Sequence, residues 1–120
     1  MTLPLPVRFT ANAEREIEVA LGWWARNRDK APRALPEDLM QALDLISSYP
    51  EVGTRAAYSR FAAVRRLYLS RVRYYLYYRV LRGQTSRIEV LAFWHASRSA
   101  RSVEEAAGQY TPMPMGSRAA

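Results

Sequence analysis

The chain has 120 residues, the length of one domain, and 49% of them are hydrophobic, which is enough to form one core. With no cysteine and one histidine, the composition excludes disulfides, thiolate catalysis and histidine-rich metal sites, and we expect no metal or other cofactor. The net charge of +7 favours a polyanion or an acidic protein as partner, and the lack of an apolar stretch of about 18 residues predicts a cytoplasmic protein with no membrane partner.

The first predicted element is a short strand at the N-terminus. Leu5, Val7 and Phe9 alternate with less apolar residues, and this period of two is typical of an extended strand. Pro4 and Pro6 cannot donate hydrogen bonds to a neighbouring strand. We therefore place the strand at the edge of a sheet.

Two amphipathic helices are predicted next. The first begins at Thr10 or Asn12, either of which can cap it, and three glutamates between positions 14 and 18 lie near its positive end. The second begins at Pro36, a residue tolerated in the first helical turn, and ends before Pro50. The short linker predicts an antiparallel hairpin. The expected buried stripes are Ala13, Ile17, Ala20, Leu21 and Trp24 in the first helix and Leu39, Ala42, Leu43, Ile46 and Tyr49 in the second.

Residues 64–98 are predicted to form three antiparallel strands, after an irregular arm that follows the second helix. Between Arg55 and Arg101 the chain carries eleven arginines and one acidic residue, Glu89. The outer face of this meander is therefore expected to be aromatic and cationic. The opposite face, packed on the helices, is predicted to hold Leu67, Leu69, Tyr74, Leu76, Tyr78, Val80, Ile88, Val90, Ala92 and Trp94.

The predicted fold class is α+β. An N-terminal strand, an antiparallel helical hairpin and a three-stranded antiparallel meander follow one another, with the helices on one face of a small sheet. We expect a single domain over residues 1–101. Residues 102–120 are expected to form a short turn and a disordered tail.

Three stretches in this order carry a resemblance to a known family. They are ALDLISSYPEVGTR at 42–55, VRRLYLSRVRYYLYYRV at 64–80 and RIEVLAFWHASR at 87–98. Together they resemble the RelE/ParE toxin superfamily of type II toxin–antitoxin systems, over roughly residues 7–101. The resemblance implies a small sheet with a helical hairpin on one face. It also implies an antitoxin that wraps and neutralises the toxin in a hetero-oligomer.

The superfamily has branches with different targets. RelE-like members cut mRNA in the ribosomal A-site, whereas ParE-like members poison DNA gyrase. Tyr75 stands where RelE-like proteins have a second-strand catalytic arginine, Tyr68 falls near a first-strand lysine position, and Arg66 matches the other. His95 and Arg98 resemble the H-x-x-R ending of ParE-like proteins. The resemblance therefore favours a ParE-like gyrase inhibitor, which is not itself an enzyme and needs no catalytic residue.

The candidate contacts for the target or the antitoxin lie mostly on the outer face. Arginine forks suit phosphate or carboxylate, tyrosine rings can stack bases, and the imidazole of His95 titrates near neutral pH. Each type also has a structural role, as a solvated or paired arginine or as a strand-forming tyrosine. Trp23, next to the buried Trp24, is a candidate anchor for a partner. The full set is Arg65, Arg66, Tyr75, Tyr77, Arg79, Arg87, His95, Arg98 and Trp23.

Two alternatives to gyrase inhibition stay open. A RelE-like ribosome-dependent mRNA endoribonuclease would use Arg66, Arg79, His95 and Arg98 as cations and proton-transfer group. A basic nucleic-acid-binding module without toxicity would rely on charge, and its affinity would fall steeply with salt. For either toxin, the partner that holds the chain inactive is expected to be an antitoxin with an acidic, partly disordered segment.

Overall fold

The computed structural model describes residues 4–58 and 61–97, and there the chain adopts the predicted α+β arrangement. Arg98 and the predicted C-terminal turn and tail lie outside the described residues. The helices and strands are β1 (Val7–Phe9), α1 (Ala11–Asn27), α2 (Ala34–Ser48), β2 (Thr54–Arg55), β3 (Arg65–Leu69), β4 (Tyr74–Leu81) and β5 (Arg87–His95).

The strands of the described part form one mixed sheet in the order β1-β5-β4-β3-β2. β1 lies at one edge and pairs parallel with β5, whereas the other neighbouring strands pair antiparallel. The edge position of the first strand and the three-stranded meander are therefore confirmed. β2 was predicted as irregular arm, because two residues opposite Arg65 and Arg66 are too few to show a strand period.

Both helices pack on one face of the sheet, and α1 forms as predicted. The side-chain oxygen of Thr10 accepts a hydrogen bond from the N–H of Ala13 at 3.0 Å, so Thr10 is the residue that caps the helix. The predicted stripe of α1 lies against the core, with Ala13, Ala20 and Trp24 buried and Ile17 and Leu21 partly buried.

The second helix, α2, begins at Ala34, before the predicted start at Pro36, and this extension buries Leu35. Tyr49 is 65% exposed, so its predicted place in the buried stripe is wrong. The helix ends at Ser48, and the backbone of Tyr49 leaves the helical conformation with φ −132° and ψ 76°. Within the described residues, no helix is long and apolar enough to cross a membrane.

The last strand, β5, carries a β-bulge that the alternating pattern does not reveal. Tyr77 pairs with Ala92 and Tyr78 pairs with Val90, so Leu91 is an extra residue on β5. The carbonyl of Leu91 accepts hydrogen bonds from two side chains at the start of α1, at 3.4 and 3.2 Å. The first turn of α1 thus satisfies the carbonyl at the irregularity.

The bulge exchanges the two faces of β5 beyond Leu91. Ile88 and Val90 face the helices, as predicted. The prediction that Ala92 and Trp94 share that face is wrong: both belong to a second cluster on the outer face, and Phe93 takes the helix side instead. One inserted residue shifts the side-chain period by one, and every later position then changes face.

The loop between α2 and β2 is fixed to the sheet by the hydroxyl of Tyr78. That hydroxyl donates to the carbonyl of Pro50 at 2.8 Å and accepts from the N–H of Gly53 at 2.9 Å. A guanidinium nitrogen of Arg65 donates to the carbonyl of Gly53 at 2.7 Å. Burial raises the pKa of Tyr78, so the phenol stays neutral and keeps the proton that it donates. These contacts with β3 and β4 hold the backbone of Pro50 and Gly53 in place.

Candidate functional site

The outer face of the sheet, opposite the helices, is largely covered by the arm between β2 and β3. Tyr58 of the arm lies over Tyr77 with ring centres 6.0 Å apart, and it stacks on Phe61 at 5.9 Å. Tyr77 is only 1% exposed as a result. The predicted contact residue Tyr77 is thus an interior residue of the cluster formed by Tyr58, Val64, Tyr77, Leu91, Ala92 and Trp94.

The arginines predicted to contact the target or the antitoxin differ in the groups that they bind within the fold. Arg79 pairs with the carboxylate of Glu89 at 2.7 Å, and its guanidinium lies 4.0 Å from the ring centre of Phe61. Arg65 holds the carbonyl of Gly53, as described above. Arg87 is exposed at the start of β5. Two of these three guanidinium groups therefore hold the fold together.

Arg66, Tyr68 and Tyr75 form a connected group, which we call the arginine–tyrosine patch. The guanidinium of Arg66 lies 4.3 Å from the ring centre of Tyr75 and donates to the hydroxyl of Tyr77 at 3.3 Å. Tyr68 pairs with Tyr75 across the β3–β4 ladder, with ring centres 4.8 Å apart. The patch therefore places one stacked cation beside two adjoining aromatic rings.

His95 ends β5 and packs edge-on against the ring of Tyr74, with ring centres 5.1 Å apart. The N–H of Ser97 donates to Nδ1 at 3.0 Å, so Nδ1 carries no proton and the imidazole is neutral in this arrangement. Burial lowers the pKa of His95, and the positive charges of Arg73 and Arg28 lower it further. The residue is therefore better suited to accept a proton than to donate one at neutral pH.

Because the chain has one histidine, the titration of His95 can be followed by a single proton NMR signal. We expect the folded protein to titrate below the unfolded chain, whose pKa is about 6.5. Between the two pKa values the unfolded chain binds more protons, so the free energy of unfolding falls as the pH drops below about 6.5. The H95Q variant should lose part of this pH dependence. A folded pKa equal to that of the urea-unfolded chain would contradict this expectation.

Trp23, the predicted anchor, is half-buried near the C-terminal end of α1. Its ring packs partly against the main core, and the guanidinium of Arg28 lies 5.0 Å from its centre. The neighbouring Trp24 is buried, as predicted, and its indole N–H donates to the carbonyl of Ala31 at 2.8 Å. The guanidinium of Arg28 thus covers part of the Trp23 ring that would otherwise face solvent.

The residues of the nuclease alternative do not meet in the described part of the chain. Arg66 and Arg79 lie on the outer face, each stacked on an aromatic ring. His95 contacts Tyr74, whose side chain belongs to the core beneath the helices, so the imidazole lies on the opposite side of the sheet. Arg98 lies outside the described residues. Residues 4–58 and 61–97 also hold no group of acidic or histidine side chains that could bind a metal.

Glu16 is a residue that the sequence analysis missed. The prediction named it only as one of three glutamates near the positive end of α1, yet it is 1% exposed. Its carboxylate accepts hydrogen bonds from the backbone N–H of Phe93, at 2.9 Å, and from the indole N–H of Trp94. A signal was present in the spacing, because Glu16 lies three residues after Ala13 and four before Ala20 in the buried stripe.

Comparisons with known proteins agree with this fold. A family model described as the ParE toxin of type II toxin–antitoxin system, parDE, matches residues 7–100. The chain belongs to this ParE toxin family, which confirms the resemblance to the ParE-like branch. It is also similar to a solved chain of the chromosomal ParDE TA system from P. aeruginosa, with a TM-score of 0.57 and 18% identity, covering 77% of this chain and 96% of that chain. A comparison with curated proteins finds no match.

Proposed function

We propose that this ParE family toxin arrests growth by binding and inhibiting DNA gyrase in the cytoplasm. The family match over residues 7–100 is the observation that carries the proposal. Gyrase inhibition requires a binding surface and no catalytic group, and the described residues offer the partly exposed Arg66 and the exposed ring of Tyr68 on the outer face. The toxin is accordingly a binding inhibitor and not an enzyme.

The side-chain contacts favour this mechanism over mRNA cleavage. A metal-free ribonuclease needs cations that offset developing charge on the phosphate, together with a proton donor and acceptor near them. Arg79 already neutralises Glu89, and His95 lies across the sheet from Arg66. Tyr75 occupies the position at which RelE-like proteins have an arginine. These contacts support binding without cleavage.

The cognate antitoxin is proposed to bind this toxin through an acidic, partly disordered segment. The toxin carries a net charge of +7, so opposite charges bring the partners together and steer the encounter. The solved chain that resembles this one belongs to a ParDE TA system, which supports a partner of the same kind here. When such a segment becomes ordered on the toxin, it loses conformational entropy. The many contacts that it then forms would offset this loss.

The proposal is tested with purified toxin in a gyrase supercoiling assay. We expect supercoiling to stop at toxin concentrations that leave relaxation by topoisomerase I unchanged, because only gyrase offers the specific surface. Translation in a cell-free extract is measured in parallel and should continue. In cells, pulse-labelling after induction should show DNA synthesis failing before protein synthesis. Unimpaired supercoiling together with arrested translation would instead support the RelE-like mechanism.

A further inference from the structure

The arginine–tyrosine patch is more open to solvent than the part of the outer face that lies beneath Tyr58 and Phe61 of the arm. Tyr68 is 44% exposed, whereas Tyr77 on the same face is 1% exposed beneath the arm. Tyr75 lies between these two extremes and supports the ring of Tyr68 from the neighbouring strand. A flat, exposed ring backed by a second ring is thus held in place by the pairing of β3 with β4.

Arg66 brings a cation whose charge is not already neutralised. Within residues 4–58 and 61–97, no carboxylate lies within ion-pair distance of its guanidinium, in contrast to the pairing of Arg79 with Glu89. The ring of Tyr75 and the hydroxyl of Tyr77 hold the Arg66 side chain, and the bond to that hydroxyl occupies one terminal nitrogen. Since a guanidinium carries five N–H donors, the fork retains donors for an anion.

An open groove of about 390 Å³ adjoins the patch and is lined by Arg66, Tyr68, Tyr75, Leu67 and residues 52–54. Arg66 pairs with Thr54 across β2 and β3, so it borders this groove. An acidic peptide would use the charge but not the exposed ring. A nucleotide would use both, because its base can stack on a ring and its phosphate fits the arginine fork.

We propose that the arginine–tyrosine patch binds single-stranded nucleic acid. Tyr68 stacks an unpaired base, Tyr75 supports that ring from behind, and Arg66 binds the adjoining phosphate. Duplex nucleic acid fits poorly, because its bases are stacked on one another and offer no free face to Tyr68. This binding goes beyond gyrase inhibition and involves no bond cleavage.

The test is fluorescence anisotropy of labelled ten-nucleotide oligo(dT) and oligo(rU) with the purified full chain, without gyrase. The Y68A variant should bind about tenfold or more weakly, since stacking on one ring contributes about that much to affinity. Y68F keeps the ring and should bind as well as the unchanged chain. R66Q should weaken binding and reduce the slope of log affinity against log salt by about one. Y49A, which removes a 65% exposed tyrosine outside the patch, is the matched control and should have no effect.

Each possible outcome decides the proposal. Weaker binding by Y68A but not by Y68F or Y49A, with the matching duplex bound less tightly, supports the patch. Equal binding by Y68A and Y49A would show that charge alone attracts the oligonucleotide and would overturn the proposal. So would a polyglutamate peptide that binds in a Tyr68-dependent manner while oligonucleotides do not. Because gyrase is absent from the assay, failure here leaves the gyrase proposal unaffected, and the reverse also holds.

Discussion

Replacing Glu16 by alanine is expected to lower the free energy of unfolding by about 2–5 kcal/mol, because two buried N–H groups lose the acceptor that Glu16 provides. The carboxylate is buried between α1 and β5, where it accepts from the backbone of Phe93 and the indole of Trp94. Both donors would remain buried without this acceptor. The variant should also expose strand β5 beyond the bulge, where α1 normally covers it. The measurement is urea unfolding followed by far-ultraviolet circular dichroism.

Two further variants separate the loss of the acceptor from general effects on the helix. Glu18 lies on the exposed side of α1, so E18A should change the free energy of unfolding by less than about 0.5 kcal/mol. E16Q keeps one carbonyl acceptor but turns an NH₂ group toward a donor, and its stability should fall between those of the unchanged chain and E16A. If E16A were as stable as E18A, the buried hydrogen bonds would not contribute as described.

The position of Glu16 shows where sequence patterns stop being informative. Helical periodicity identified Ala13, Ala20 and Trp24 as buried, because an apolar stripe is a local property of the helix. The same spacing includes Glu16, but a carboxylate is buried only where hydrogen-bond donors are present to pair with it. Those donors belong to β5, 77 and 78 residues further along the chain. Residue type and spacing carry no information about them.

The bulge in β5 is a second feature that the sequence pattern does not predict. Alternation correctly assigned both faces of β3 and β4, where the ladder between them is regular. It failed beyond Val90, since Leu91 is as apolar as its neighbours and no proline or glycine marks the irregularity. The contacts that accompany the bulge come from the start of α1, far away in sequence. The face of the sheet on which Ala92 and Trp94 lie is therefore determined by tertiary contacts, which the alternating pattern does not show.

The sequence predicts which residue types the candidate site holds, and the structure adds how they are arranged. The excess of arginine over acidic residues in the meander predicts a cationic outer face. The ion pair of Arg79 with Glu89 and the arm over Tyr77 then remove two of the predicted contacts from free solvent. Arg87 stays exposed, and Arg66 lies with the exposed Tyr68 beside Tyr75. The arm that covers a residue and the ion pairs that it forms, rather than its residue type, therefore decide whether it is accessible to a partner.

Replacing Gly53 by alanine is expected to lower the free energy of unfolding by about 2–4 kcal/mol, because the added methyl group has no space. Its Cβ would lie 2.8 Å from the carbonyl oxygen of Arg66 and 2.8 Å from the hydroxyl of Tyr78. Relief of this overlap must move the backbone of β3 or the buried phenol, and either movement weakens the bond from the Gly53 N–H to Tyr78. Thermal and urea unfolding measure the effect.

Gly83 provides the matched control for this substitution. Among the described residues, no atom lies within 4 Å of the position that a Cβ at Gly83 would take, so G83A should be neutral or slightly stabilising. Equal stability of G53A and G83A would contradict the close approach of the loop to β3 and β4. Because Arg66 lies directly against Gly53, a destabilised G53A should also displace Arg66 at the edge of the arginine–tyrosine patch, so its stability and its affinity for oligonucleotides should fall together.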